Sequence, residues 1–498
     1  VTKFVKIVAL FLAFNVVIAV RDATAMPNFS RKLGDVPCST CHTTIPRLNE
    51  TGYKFRAAGF RMPEMIGKVD EKKFELGDYI AARLQVRYDT QVTNQPNSAP
   101  VANVIGGVAG PRTTTNALSF QEFTLYPLTG SWGKYFGSLA ELSTSPEDVF
   151  EIENAYVRFV YGKPDKFFTA RAGVFHPWEG FGASDRPFSN ARPFFQTVPI
   201  SGGGRAVPFV FQSWGLDEAG LEIGADLKKL SLRAAVLNGV LLRWEEDPNS
   251  FLPFPAQTGP WKGANQATAG LTKPFNSPSR STPDFSANVT YILHPEGGGI
   301  SFLYYHGNIA TPTHCTDGTD TTPPTAIGQT NPDTGVVCGV GAASSSAPYG
   351  TVGNTEFDLS TATAYRNNFD RLALYASYPI GKHFLPQAGI QYGRDTIPVD
   401  PVAFPAIPTL KKFDSKGAFA EGAYTFKEYL TAGVRYDWYK PKYAASTFNT
   451  QWAVTPYVNI PLQNGFQIIA EYQHRDFQLT ASNHRQNDTF QARIIFIK

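Results

Sequence analysis

Beyond its first 25 residues the 498-residue chain contains no run of about 18 apolar residues, which excludes any later membrane-spanning helix. An excess of one charge is missing too: 45 basic and 42 acidic side chains leave a net +3, no footprint for nucleic acid or another polyanion. Sulfur is scarce, with four Cys and three Met. A single CxxC occurs, at Cys38 to Cys41. No second CxxC or His pair accompanies it, which argues against zinc, and no βαβ pattern surrounds it, which argues against a thioredoxin-like site. Aromatics and turn formers are in excess: 38 Phe, 22 Tyr, 43 Gly and 37 Pro.

The CxxC continues into His42, so Cys38, Ser39, Thr40, Cys41 and His42 read CxxCH. Two thiols at this spacing can each add across a haem vinyl group, and the adjoining imidazole can then ligate the iron; this is the attachment pattern of one covalent haem c. Residues 1–25 suit such a group, because they carry Lys3 and Lys6, an apolar run from Ile7 to Val20, and Ala23-Thr24-Ala25. They read as a secretory signal peptide cleaved after Ala25, which directs the mature chain to an oxidising, exported compartment.

Residues 26–73 form the haem segment. Pro46 falls near the start of an expected helix and Gly59 just past its end. Leu48, Phe55 and Ala58 are the residues expected to face the porphyrin. From Phe74 onward the hydrophobic period is two. Ile80, Ala82, Leu84, Val86 and Tyr88 alternate with a face carrying Arg83, Gln85 and Arg87, and the same alternation recurs at 430–438, 466–475 and 490–496.

A soluble sandwich alternates as well, but the connections distinguish the two. Short links near 130–133, 162–165, 226–229, 295–298, 380–383, 427–428 and 462–464 alternate with links that are often long and polar, including 91–116, 178–210, 241–283, 311–367 and 396–414. Short turns at one rim and long loops at the other predict an all-β, transmembrane antiparallel β-barrel of about 16 strands over 74–498. An even count leaves both chain ends on the short-turn, periplasmic side. In lipid every strand edge must pair, so the barrel closes and its outward residues are apolar. Tyr88, Tyr161, Tyr436, Trp438 and Tyr472 suit an aromatic girdle, and arginines on the other parity suit a polar lumen.

Met62 and Met65 are the candidates for the second iron ligand, Met26 aside, since the segment holds no other His. Among barrel histidines, His176 and His474 share outward parity, His294 and His383 sit at short turns, and His306 has ambiguous parity. Cys315 and Cys338 lie in the longest loop; paired as a disulfide they would stabilise it by roughly 3 kcal/mol in the chain-entropy model.

The layout of signal peptide, one CxxCH, the stretch Pro46-Arg47-Leu48-Asn49, and then a barrel resembles the fused monohaem cytochrome porins of the outer membrane, the ferrous iron oxidase family. The resemblance implies Cys38 and Cys41 as thioether anchors and His42 as the proximal ligand, and it carries no barrel residue over. It implies a haem c oxidoreductase in the outer membrane of a Gram-negative bacterium, oxidising extracellular Fe(II) and delivering electrons to a periplasmic cytochrome or similar carrier, with outer-membrane lipid around it. Electron export to an extracellular acceptor fits the same layout. A solute porin with a structural or sensory haem is the alternative from another class. Because the apolar band of a barrel is about 25 Å tall and one haem is a single stopping place, the haem segment is expected to enter the lumen from the periplasmic side and plug it.

Overall fold

The structure is a computed structural model that describes residues 27–69, 74–94, 101–102, 108–109, 112–144, 151–178, 218–237, 283–311, 314–316, 325–326, 356–357, 365–381, 383–398, 410–426, 430–440, 450–462, 465–478 and 484–497. The expected signal peptide lies outside these residues.

The period-two sequence folds as strands β1 Ala81–Asn94, β2 Arg112–Tyr126, β3 Phe136–Thr144, β4 Glu151–Lys163, β5 Lys166–Phe175 and β6 Glu218–Leu227. They continue as β7 Leu230–Leu237, β8 Asp284–His294, β9 Gly298–Thr311, β10 Tyr365–Ser377 and β11 Phe384–Pro398. The last five are β12 Leu410–Phe426, β13 Leu430–Lys440, β14 Gln451–Pro461, β15 Phe466–Gln478 and β16 His484–Ile497. Each pairs antiparallel with its neighbours in sequence, and β16 pairs with β1 from Gln486 opposite Asn94 to Ile497 opposite Arg83. The result is a closed barrel of 16 strands, the short piece Gly130–Trp132 carrying β2 onward along β3. Closure leaves no strand edge facing hydrocarbon.

The strand ends joined by the expected short links all lie at one rim, and the links at 127–135, 164–165, 228–229 and 295–297 are described in full. The strand ends between which the expected long links run lie at the other rim, and most of those links lie outside the described residues. Side-chain parity follows the lipid argument. Leu118, Val157, Tyr161, Leu221, Ile223 and Ile390 are among the large apolar residues left exposed, all on the outward side. On the inward side of β5, β6, β7 and β13 lie charged residues in pairs: Arg171 Nη2 meets Glu222 Oε2 at 2.5 Å, Arg233 Nη2 meets Asp226 Oδ2 at 2.6 Å, and Arg435 Nε meets Asp437 Oδ2 at 2.8 Å. Burying such charges is tolerable because each finds its partner. An apolar belt outside and paired charges inside make this a porin-type outer-membrane barrel.

The N-terminal segment folds separately and sits within the barrel. Helix α1 spans Pro27–Lys32, a single tight turn covers Cys38–Thr40, and His42–Thr44 pairs with Arg47–Leu48 as a two-strand ribbon. Helix α2 spans Glu50–Ala57. It starts at Asn49 rather than at Pro46, because the Asn49 side chain accepts from Gly52 N at 2.9 Å and so caps it, while Pro46 lies in the turn of the ribbon. Glu50 and Lys54, one turn apart at 2.5 Å, reinforce the first turns, and the helix stops before Gly59 at φ 69°.

Contacts at the short-turn rim fasten the segment. Glu50 N donates to Pro295 O at 2.7 Å, Thr43 Oγ1 to Glu296 O at 2.5 Å, and Arg47 Nη2 to Gly297 O at 2.8 Å, all in the β8–β9 turn. Thr44 bonds Thr431 at the start of β13, and Asn459 Nδ2 in β14 donates to Ile45 O at 3.4 Å. Across the lumen, Arg61 reaches the carbonyls of Lys134 and Phe136, and Asn28 Nδ2 reaches Thr129 O at 3.3 Å. At Gly137 a Cβ would stand 2.2 Å from Gly59 O, so here the segment's backbone abuts the wall.

Candidate functional site

The CxxCH loop is shaped from within the segment. Cys41 N donates to Cys38 O at 3.1 Å, closing the turn that carries both cysteines, and Asn49 N donates to Cys41 O at 3.0 Å. The amide of Asn49 donates to the carbonyls of Ser39 at 3.2 Å and Thr40 at 3.1 Å. One side chain therefore caps α2 and holds the loop between the two cysteines. His42 follows at the start of the ribbon, paired with Leu48. Burial, followed by the neighbouring Cys38, pushes the Cys41 thiol up to about 11.

Cys41 and Met62 both pack on one apolar cluster that joins segment to barrel. Phe55 and Phe60 come from the segment; Tyr156, Phe175, Trp178, Leu303, Tyr375 and Phe419 are among the wall residues. Phe29 stacks on Phe60 at 5.1 Å and meets Phe55 edge-on at 5.2 Å. Trp178 meets Tyr375 edge-on at 6.2 Å, and Tyr375 stacks on Phe419 at 6.1 Å. Met65 is exposed in the turn Pro63–Met65. Of the two thioethers, Met62 alone shares a cluster with Cys41.

The expected porphyrin-facing set divides. Phe55 joins the aromatic cluster, whereas Ala58 packs with Ala57, Ile66, Val160 and Phe167, against the short-turn ends of β4 and β5, the strands that also carry Tyr156 and Phe175 of the aromatic cluster. Tyr53 is buried beside Ile292, and burial raises its hydroxyl above the ordinary range; that hydroxyl bonds Ser231 and Thr290. Arg158, fully buried in β4, donates from Nη1 to Arg56 O at 2.7 Å and Ala57 O at 3.4 Å. It thereby caps the C-terminal carbonyls of α2, the end of a helix that favours a cation.

The histidines left open by the sequence are placed elsewhere. His306 shares its face with Tyr304 and bonds Asp370 at 2.9 Å, the Tyr304 hydroxyl reaching the same carboxylate at 2.8 Å. Both follow Phe302, which is exposed, so His306 faces outward. His474 makes a matching contact with Asp488 at 2.7 Å. His176 Nδ1 accepts from Trp178 N at 3.1 Å, His294 accepts from Glu296 N at 3.2 Å, and His383 contacts Thr425 O at 2.8 Å. Cys315 belongs to a small three-strand sheet at His314–Thr316, while Cys338 and the expected disulfide lie outside the described residues.

The residues do fit a covalent haem. The two thiols share one turn, the proximal imidazole adjoins it, a thioether lies on the same apolar cluster, and a buried guanidinium, Arg47, keeps Nε and Nη1 without acceptors. Sequence reasoning missed Arg158 and Trp178, and it named Arg47 only as part of the Pro46–Asn49 stretch, with no role of its own. The signal for Arg158 was present as an arginine on inward parity; nothing in the sequence pairs Trp178 with the segment.

No family model matches the chain, and no curated protein does. Among solved structures, the chain is similar to the outer membrane channel DcaP of Acinetobacter baumannii, 10% identical with a TM-score of 0.47 over 84% of this chain and 97% of that one. It is also similar to the anion-selective porin from Comamonas acidovorans, 10% identical with a TM-score of 0.46 over 84% and 99%, and to the outer-membrane protein OmpT of Vibrio cholerae, 9% identical with a TM-score of 0.41 over the same shares.

Proposed function

We propose that the protein is a one-haem electron conduit of the outer membrane. The observation that carries this reading is the convergence of Cys41, from the CxxCH loop, and Met62 on a single apolar cluster inside a barrel whose wall the segment contacts from within. Cys38 and Cys41 would anchor the haem, His42 would ligate its iron, and Met62 is preferred to Met65 for the opposite face. When bound, haem supplies a one-electron couple between an extracellular donor, for which Fe(II) is the substrate proposed, and a periplasmic carrier. The chain's own residues hold, orient and shield. Asn49 fixes the attachment loop, Phe29, Phe55 and Phe60 exclude water, and Arg158 and Arg61 tie the segment to the wall.

The porin-type barrel is equally the framework of a solute porin, and the paired charges along the lumen wall favour that second reading, in which the haem would be structural or sensory. The test is to mix purified, oxidised protein with Fe(II) and follow the haem absorption. Reduction by Fe(II) is expected. Failure across a range of pH, in protein that dithionite reduces, together with steady conductance of porin size in a planar bilayer, would favour the solute porin.

A further inference from the structure

Arg47 lies in the ribbon that begins with His42, in register opposite Thr44, and is 1% exposed. Among the described residues its single hydrogen bond runs from Nη2 to Gly297 O, and its Nε and Nη1 have no acceptor. It forms no ion pair among the described residues. The charged and ionisable groups that act on it are Tyr375, Glu421 and Tyr457 on the inner wall, and burial lowers its pKa from the ordinary value despite them. The Glu421 carboxylate is committed at Oε1 to the Tyr457 hydroxyl, and its Oε2 is buried without a partner. A buried guanidinium with one carbonyl acceptor contrasts with Arg171, Arg233 and Arg435, each held to a carboxylate at 2.8 Å or less. Leaving buried donors unmade costs free energy, and more so when they carry charge.

What would take those donors is an anionic oxygen group from the side of the haem site. Tyr375, which neighbours Arg47, belongs to the same apolar cluster as Cys41 and Met62. A covalent haem c brings two propionate carboxylates into that neighbourhood, and arginine is well matched to carboxylate geometry. We propose that Arg47 receives a haem propionate, an assignment that rests on the haem reading above. The ribbon then does two jobs: it presents the proximal ligand at one end and the propionate partner at the other.

The test uses full-length protein purified from outer membranes, wild type and Arg47→Gln and Arg47→Lys variants, each checked for covalent haem by mass and by peroxidase staining. Two readouts are taken: the resonance Raman propionate bands in H2O and D2O, and the midpoint potential. In the wild type the propionate bands are expected to shift in D2O, because the proposed donors exchange. Arg47→Gln is expected to lose that shift and to lower the potential, since removing a cation beside the haem favours the ferric state. Arg47→Lys is expected to keep most of the potential. An Arg47→Gln protein that holds its haem and matches the wild type in either readout overturns the assignment. Should Arg47→Gln not fold, propionate bands that ignore D2O in the wild type overturn it just as well. A wild-type chain without covalent haem would instead defeat the reading on which the assignment rests.

Discussion

A Cβ built on Gly52 would stand 2.0 Å from the carbonyl oxygen of Cys41. The first turn of α2 and the CxxCH loop therefore touch backbone to backbone, beside the hydrogen bonds from the Asn49 side chain. The same Cys41 carbonyl accepts from Asn49 N, so the loop cannot move away from the helix without losing a hydrogen bond. Gly52→Ala would gain helix propensity, about 1 kcal/mol, but force the loop outward at a cost of about 1–3 kcal/mol. The expected outcome is a lower fraction of chain carrying covalent haem, measured as the haem-to-protein ratio, with the barrel still folded by heat-modifiable mobility on a gel. Wild-type loading in Gly52→Ala would contradict this account of the loop.

The two thioethers are separable. Met62 packs on the cluster shared with Cys41, while Met65 is exposed one turn further on. Met62→Ala is expected to lower the midpoint potential and abolish the weak far-red band of thioether-ligated ferric haem, and Met65→Ala to leave both unchanged. The reverse pattern would move the ligand to Met65.

Arg158 joins the N-terminal segment to the wall through the carbonyls of Arg56 and Ala57. Arg158→Ala removes charge-assisted hydrogen bonds worth about 1.5–3 kcal/mol and leaves Glu222, 3.9 Å away, with one cation fewer. The expected outcome is a loosened segment: higher and noisier single-channel conductance than that of the wild type in a planar bilayer. Wild-type conductance in the variant would show that the other contacts suffice to hold it.

The Cys41 thiol provides a pH test in chain produced without haem maturation. Its pKa is pushed up to about 11, above the usual value of 9.0. The sign follows directly: below 9.0 both folded and unfolded states hold the proton and stability is unaffected, whereas between 9.0 and about 11 only the unfolded state ionises, so stability falls as pH rises. Alkylation of Cys41 in the folded haem-free chain is expected to accelerate only as pH nears 11. Rapid labelling near pH 8 would mean that the loop is open.

Much of this architecture was legible in the sequence, and the reasons are specific. The alternation of Leu84, Val86 and Tyr88 with Arg83, Gln85 and Arg87 gave the two faces of β1, and the alternating link lengths gave the rims. The motif from Cys38 to His42 is local and needs no fold to be read. Parity, however, says only that a residue points inward. It does not say which inward residue meets the segment, so Arg158, Trp178 and Tyr375 could not be singled out. Met62 and Met65 are three apart and look equivalent until the turn Pro63–Met65 rotates one to the cluster and the other to solvent. Pro46 suggested a helix start by position, but the Asn49 cap set it.

On the proposed function this barrel moves electrons through a haem held in its lumen. That function is tested most directly in liposomes with the protein inserted so that its long loops face outward, an oxidised c-type cytochrome trapped inside and Fe(II) added outside. The account predicts reduction of the trapped cytochrome that disappears in Cys41→Ser. A trapped cytochrome that stays oxidised while its barrel admits small solutes would contradict it.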